Sequence, residues 1–282
     1  MPSTYAHRRF GANVLDHLPP ELGDRIHKNR PLYDIGLHGP DLLFYYHAAK
    51  SNPVSALGNA MHDEPGRKFF DRARQVVQKA EDREAALAYA LGFVCHFALD
   101  STCHPFVDRF VRESGVSHCE IETEFDNMLL RRDGQDPLKF FTASHIQPSA
   151  GNAHVIAPFY EGITEQQTQE ALKGMITVHR LLQASNPVKR WVVLTGMKVV
   201  GKYEGMHGLV ANPKPNPRCA DSNRQLEELE EAEQRGEVLV IRPEADLGVG
   251  RIEKDRLRLA KAYRQGYLAA AAKADELAEY LG

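Results

Sequence analysis

No stretch of this 282-residue chain is apolar for the 18 or so positions that a bilayer crossing takes, so a transmembrane segment is not expected. The opening residues Met1-Pro-Ser-Thr-Tyr-Ala-His-Arg-Arg-Phe10 contain no apolar core of signal-peptide length, and the expected location is cytoplasmic. Positive charge is not in excess either. The formal net charge of −3 offers no broad attraction for nucleic acid, and no stable nucleic-acid binding is expected. Cysteine is scarce: four residues, three of which (Cys95, Cys103, Cys119) adjoin histidines rather than follow a disulfide-scaffold spacing, so they read as free thiols. No internal repeat, firm domain boundary or lipid-binding amphipathic segment stands out. Residues 238–241 are the single plausible strand.

Helical periodicity dominates what is present. With 43% hydrophobic and 26% charged residues, the chain has the composition of a globular protein with a sizeable core. Apolar positions recur at three-and-four spacing over residues 8–18, 69–79, 84–99, 118–130, 164–183, 187–203 and 256–281, which predicts an all-α fold. The span is taken as one helical domain, 1–282. Its metal-site core lies at about 1–135, and further helices with a Gly/Pro/Asn-rich possible lid loop (about 205–223) lie in 136–282. Residues 84–99 are apolar almost all round, which predicts a central helix. Pro105 is expected to limit it, leaving a turn of about a dozen residues before the next helix.

That central segment holds the strongest chemical signal. His96, Asp100 and His104 recur every four residues, and His118 and Glu122 repeat the interval. Four residues turn an α-helix by about 400°, so each set shares one face. Imidazole nitrogens and carboxylate oxygens are the donors that borderline divalent cations such as zinc prefer. The competing reading of each pair is a local helix hydrogen bond. Two sets within 27 residues, one of them in the most apolar helix, point to a metal instead, because unpartnered buried imidazoles and carboxylates are costly to desolvate. Asp126, four residues after Glu122, reads either as a group orienting a ligand or as a solvated acid. His38 is the nearest rival to Asp41 on the turn Gly36-Leu-His-Gly-Pro-Asp41.

His7, Gly39-Pro40-Asp41, Gly58 through His62, Gly92-Phe-Val-Cys-His96-Phe-Ala-Leu-Asp100-Ser-Thr-Cys-His104-Pro105 and His118 through Glu122 together resemble the zinc-dependent phospholipase C family over roughly the first 130 residues. That family is all-α, a multi-helix bundle with its metal cluster in a cleft, and is related to the P1-type nucleases. The resemblance implies that Asp41, His62, His96 and Asp100 hold one zinc ion and that His104, His118 and Glu122 hold a second, with Asp100 bridging. A third ion in secreted members uses Asp100, a histidine matching His7 and a processed N-terminal tryptophan. Here the chain begins with Met1 and its one tryptophan is Trp191, so the third site is weakly held through His7, filled by another cation, or absent.

The function so implied is metal-dependent hydrolysis of phosphate esters, with a metal-activated water attacking phosphorus and Asp41, Asp100 and Glu122 as the catalytic carboxylates. The substrate is a phospholipid or a soluble phosphoester, and the oligomeric state is not legible. Two alternatives stand beside it. His62-Asp63 fits the dipeptide of HD-type phosphohydrolases but leaves the 96–122 array unexplained, and a non-catalytic helical scaffold would hold one saturated structural zinc.

Overall fold

The computed structural model describes residues 4–219 together with 235 and 265. The chain divides into two compact units, Met1–Cys219 and Ala220–Gly282, where the sequence had been read as one domain. The helix expected over 256–281, the strand at 238–241 and the acidic stretch 225–237 therefore lie outside the described residues, apart from 235 and 265.

The first unit is all-α, with no strand among the described residues. Its helices are α1 (Thr4–His17), α2 (Pro20–Lys28), α3 (Arg30–Gly36), α4 (Pro53–Asp63), α5 (Gly66–Lys79), α6 (Arg83–Ser114), α7 (His118–Arg132), α8 (Ala150–Ile156), α9 (Glu165–Leu182), α10 (Pro187–Val199) and α11 (Tyr203–Met206). Short 3-10 turns occupy Gly39–Tyr45, Ala157–Phe159 and His207–Leu209.

Helix α6 is the axis. Asp82 caps its start by accepting from the Ala85 amide, and Gly115 closes it in the left-handed region at φ 68°. It carries an 18-residue window apolar enough to cross a membrane, contrary to the expectation that no segment would. Burial among neighbours accounts for part of that composition: Ala85, Ala88, Tyr89, Phe93 and His96 are all interior, whereas Val94 and Phe97 remain 44% and 40% exposed.

Pro105 does not end α6, which runs nine residues further to Ser114. The hydroxyls of Ser101 and Thr102 bond back to the Phe97 and Ala98 carbonyls, a pattern that accompanies helix bending and accommodates a proline ring. Beyond the proline, buried Val107 packs with Val116 and Ile121, which repays the lost backbone hydrogen bond. The connection to α7 is accordingly only residues 115–117, with Ser117 capping α7.

Helix α3 meets α6 through two glycines. A Cβ on Gly36 would stand 2.3 Å from the Tyr89 carbonyl oxygen, and one on Gly92 would stand 2.2 Å from that of Tyr33. This approach brings the Gly39–Tyr45 turn over α6, where Gly39 (φ 47°) faces the His96 ring so closely that a Cβ would overlap it. Tyr160 secures the turn by donating to the Gly39 carbonyl at 2.8 Å, and shares a 2.6 Å hydrogen bond with Tyr89.

Candidate metal centre

Helices α1, α4, α6 and α7 and the Gly39–Tyr45 turn deliver seven imidazole and carboxylate side chains, with Asp100, to one region. Asp41, His62 and His96 place donor atoms within 4.8 Å of one another, and so do His104, His118 and Glu122. In the first group His62 Nδ1 lies 2.7 Å from the Gly58 carbonyl, which fixes the protonated nitrogen there and turns Nε2 toward Asp41 Oδ1 at 3.0 Å. In the second, His118 Nε2 stands 2.7 Å from Glu122 Oε1 and His104 Nε2 stands 3.8 Å from the same oxygen.

Asp100 belongs to neither trio by distance. Its Oδ2 lies 3.1 Å from His104 Nδ1 and its Oδ1 lies 3.9 Å from His7 Nε2, so it stands between the second trio and His7. The His7 ring stacks on His96 with centroids 4.6 Å apart, and His7 is 1% exposed.

Burial differs across the centre. Asp41 and His96 are interior, whereas the side chains of His104 and His118 are about one-third exposed. A cavity of about 190 Å³ opens beside His62, His96, Asp100 and His104, with Met61, Phe69, Phe93 and Phe97 on its walls and Lys68 and Arg72 among its lining.

The electrostatics follow from this packing. Burial alone raises the Asp100 carboxyl, but the hydrogen bond with His104 and the surrounding imidazoles hold it down at about 2. The partners of His104, Asp100 and Glu122, push its imidazole up to about 10. Burial pushes His7 well below its ordinary value and lowers His96 as well, so both are neutral imidazoles with lone pairs to offer.

Several buried donors have no hydrogen bond among the described residues: both ring nitrogens of His7, Asp41 Oδ1, Asp100 Oδ1 and His104 Nε2. Orphans of this kind are costly unless another partner takes them, and a set of nitrogen and oxygen donors at this spacing suits zinc. The residues fit the ion.

Three further residues find structural partners. Asp126 is buried rather than solvated: its carboxylate accepts from the Tyr5 and Ala6 amides at 2.9 and 2.7 Å, anchoring the first turn of α1 and with it His7. His38 is buried and pairs with His145, Nε2 to Nε2 at 2.7 Å. Tyr45 is core, bonded to His179 at 2.9 Å. One residue was missed. Asp108 Oδ1 lies 3.8 Å from His118 Nδ1, and its position continues the four-residue series 96, 100, 104 beyond Pro105. The possible lid segment is tied down where described, with Asn212 and Asn216 donating to Glu124 and Glu120 of α7 at 3.0 and 2.9 Å.

Comparison with known proteins yields two family matches. A family model described as zinc dependent phospholipase C matches residues 6–173, which extends past the first 130 residues into α9. A model described as a domain of unknown function matches residues 220–282, the second compact unit. No curated protein and no solved structure matches the chain.

Proposed function

Because this chain belongs to the zinc-dependent phospholipase C family and is thus a zinc-dependent phosphoesterase, we propose that Asp41, His62 and His96 hold one zinc ion and His104, His118 and Glu122 a second, with Asp100 serving both. The observation that carries this reading is the pair of three-donor groups, each with its ligand atoms within 4.8 Å of one another. His7 and Asp100 form the place for a third ion. When bound, zinc supplies Lewis-acid polarisation of the phosphoryl group and an acidified water.

The side chains divide the remaining work. Asp100 lines the cavity, is ionised at neutral pH, and is placed to accept a hydrogen bond from the attacking water. Asp41 lies deeper and orients His62. Glu122 receives His118 and keeps the second trio together. The aromatic wall of Phe69, Phe93 and Phe97 favours a substrate with an apolar portion beside its phosphodiester, and phospholipid is the substrate class proposed. The four cysteines form no disulfide, which suits a reducing compartment and supports a cytoplasmic site of action.

Elemental analysis of the purified chain, followed by a screen of short-chain lecithins, nucleotides and chromogenic phosphoesters with and without chelator, tests the proposal. Two or more zinc ions per chain and lecithin hydrolysis that is lost on chelation and restored by zinc are expected. One ion per chain and no hydrolysis in any class would overturn it in favour of a structural metal.

A further inference from the structure

Helix α10 displays an apolar stripe that nothing in the described unit covers. Val188, Trp191, Val192 and Val199 are 71%, 68%, 54% and 82% exposed, and their spacing keeps them within about 100° of helical arc. Val193 and Met197 on the far side are buried against Ala184 and Val210. Residues 180–203 also hold Arg180, Lys189, Arg190, Lys198 and Lys202 and no acid, within a chain of net charge −3. The sequence alone hid this face, because Val193, Leu194 and Met197 make α10 look apolar throughout.

We propose that α10 docks this protein onto an anionic phospholipid bilayer, with Trp191 and the valines entering the headgroup boundary and Lys198 and Lys202 meeting lipid phosphates. An exposed tryptophan on an apolar stripe flanked by lysines is the chemistry of a helix lying in a membrane interface. Two other occupants are disfavoured. A second copy seated symmetrically would bring the Lys198 and Lys202 charges of the two copies together on one face. The acidic stretch 225–237 offers only Leu226, Leu229 and Ala232 beside Gly236 and polar residues, too little apolar surface to cover a tryptophan and three valines. The inference goes beyond the hydrolase reading, since it concerns binding and holds whatever the centre cleaves.

Trp191 is the chain's one tryptophan, so its fluorescence reports this face alone. The full chain is titrated with phosphatidylglycerol vesicles and, separately, phosphatidylcholine vesicles. Emission typical of water-exposed indole in buffer, shifting to the blue with phosphatidylglycerol and much less with phosphatidylcholine, is expected. Lys198→Gln with Lys202→Gln should leave the buffer spectrum unchanged and weaken phosphatidylglycerol binding about 30-fold. Val188→Ser with Val192→Ser should weaken both the shift and vesicle flotation. No shift with either vesicle overturns the proposal. Blue emission before lipid is added, or a dimer by light scattering, also overturns it by showing the face already covered.

Discussion

Asp100 lies beside both His104 and His7, so a change there reaches both. Asp100→Asn keeps the shape but removes the charge, and is expected to lower zinc affinity and turnover together by about 100-fold or more. Zinc titration alongside an esterase assay checks this, and a variant that keeps both removes Asp100 from the centre. His104 supplies a second prediction. Its imidazole, held at about 10 by Asp100 and Glu122, carries a proton at pH 7 in the metal-free protein. A cation must displace that proton, so zinc affinity rises with pH below about 10 and loading releases about one proton from this residue. Calorimetry in two buffers of different ionisation enthalpy measures it. At this scale the i, i+4 series was legible because helix geometry leaves few other reasons for it. His7, Asp41 and His62 were legible only through family resemblance, since each stands alone in sequence. The partners of Asp126 were not legible, because they are backbone amides 120 residues away, which no local pattern signals.

Among the elements, the α3–α6 crossing sets where the Asp41-bearing turn lies. Gly92→Ala would push a methyl group into the Tyr33 carbonyl and should destabilise the protein by about 2 kcal/mol, with reduced zinc binding because the turn shifts off His96. Gly151→Ala in α8, where a Cβ meets nothing within 4 Å, is the control and should be neutral or slightly stabilising. Thermal melts with and without zinc separate the two. The positions of α1, α5, α6, α7, α9 and α10 were legible and their ends were not, while the shorter helices α2, α3, α4, α8 and α11 were not read as helices. The expected stop at Pro105 treated a local preference as decisive, whereas burial of Val107 and the back-bonding of Ser101 and Thr102 outweigh it. That single misreading stretched the α6–α7 connection to a dozen residues and hid Asp108.

For the molecule as a whole, acid is the informative stress. Burial pushes His145 down to about 3 and His179 to about 4, and holds His38 well below its ordinary value. An unfolded chain titrates its histidines near 6.5, so below that pH it binds protons the native state refuses. Stability from these groups is therefore complete above pH 6.5 and is lost as pH falls toward 4, on the order of 2 kcal/mol per histidine by pH 5. Urea unfolding at pH 7.5 and 5 should show the loss, and His179→Gln should flatten it; an unchanged slope in that variant refutes the account. The two-unit organisation escaped the sequence because the Gly/Pro/Asn-rich stretch at about 205–223, which spans the boundary, was read as a lid loop within one domain rather than as a linker.

The hydrogen bond from Tyr160 to the Gly39 carbonyl bears on how such a centre could be borrowed. All the proposed donors precede residue 135, which invites treating that portion as a transplantable cassette. Yet the turn bearing Asp41 is bolted from behind by Tyr160, while His145 and His179 brace His38 and Tyr45 on either side of it. A graft cut after the last donor would carry every zinc-facing atom and lose the scaffolding that keeps one of them in place.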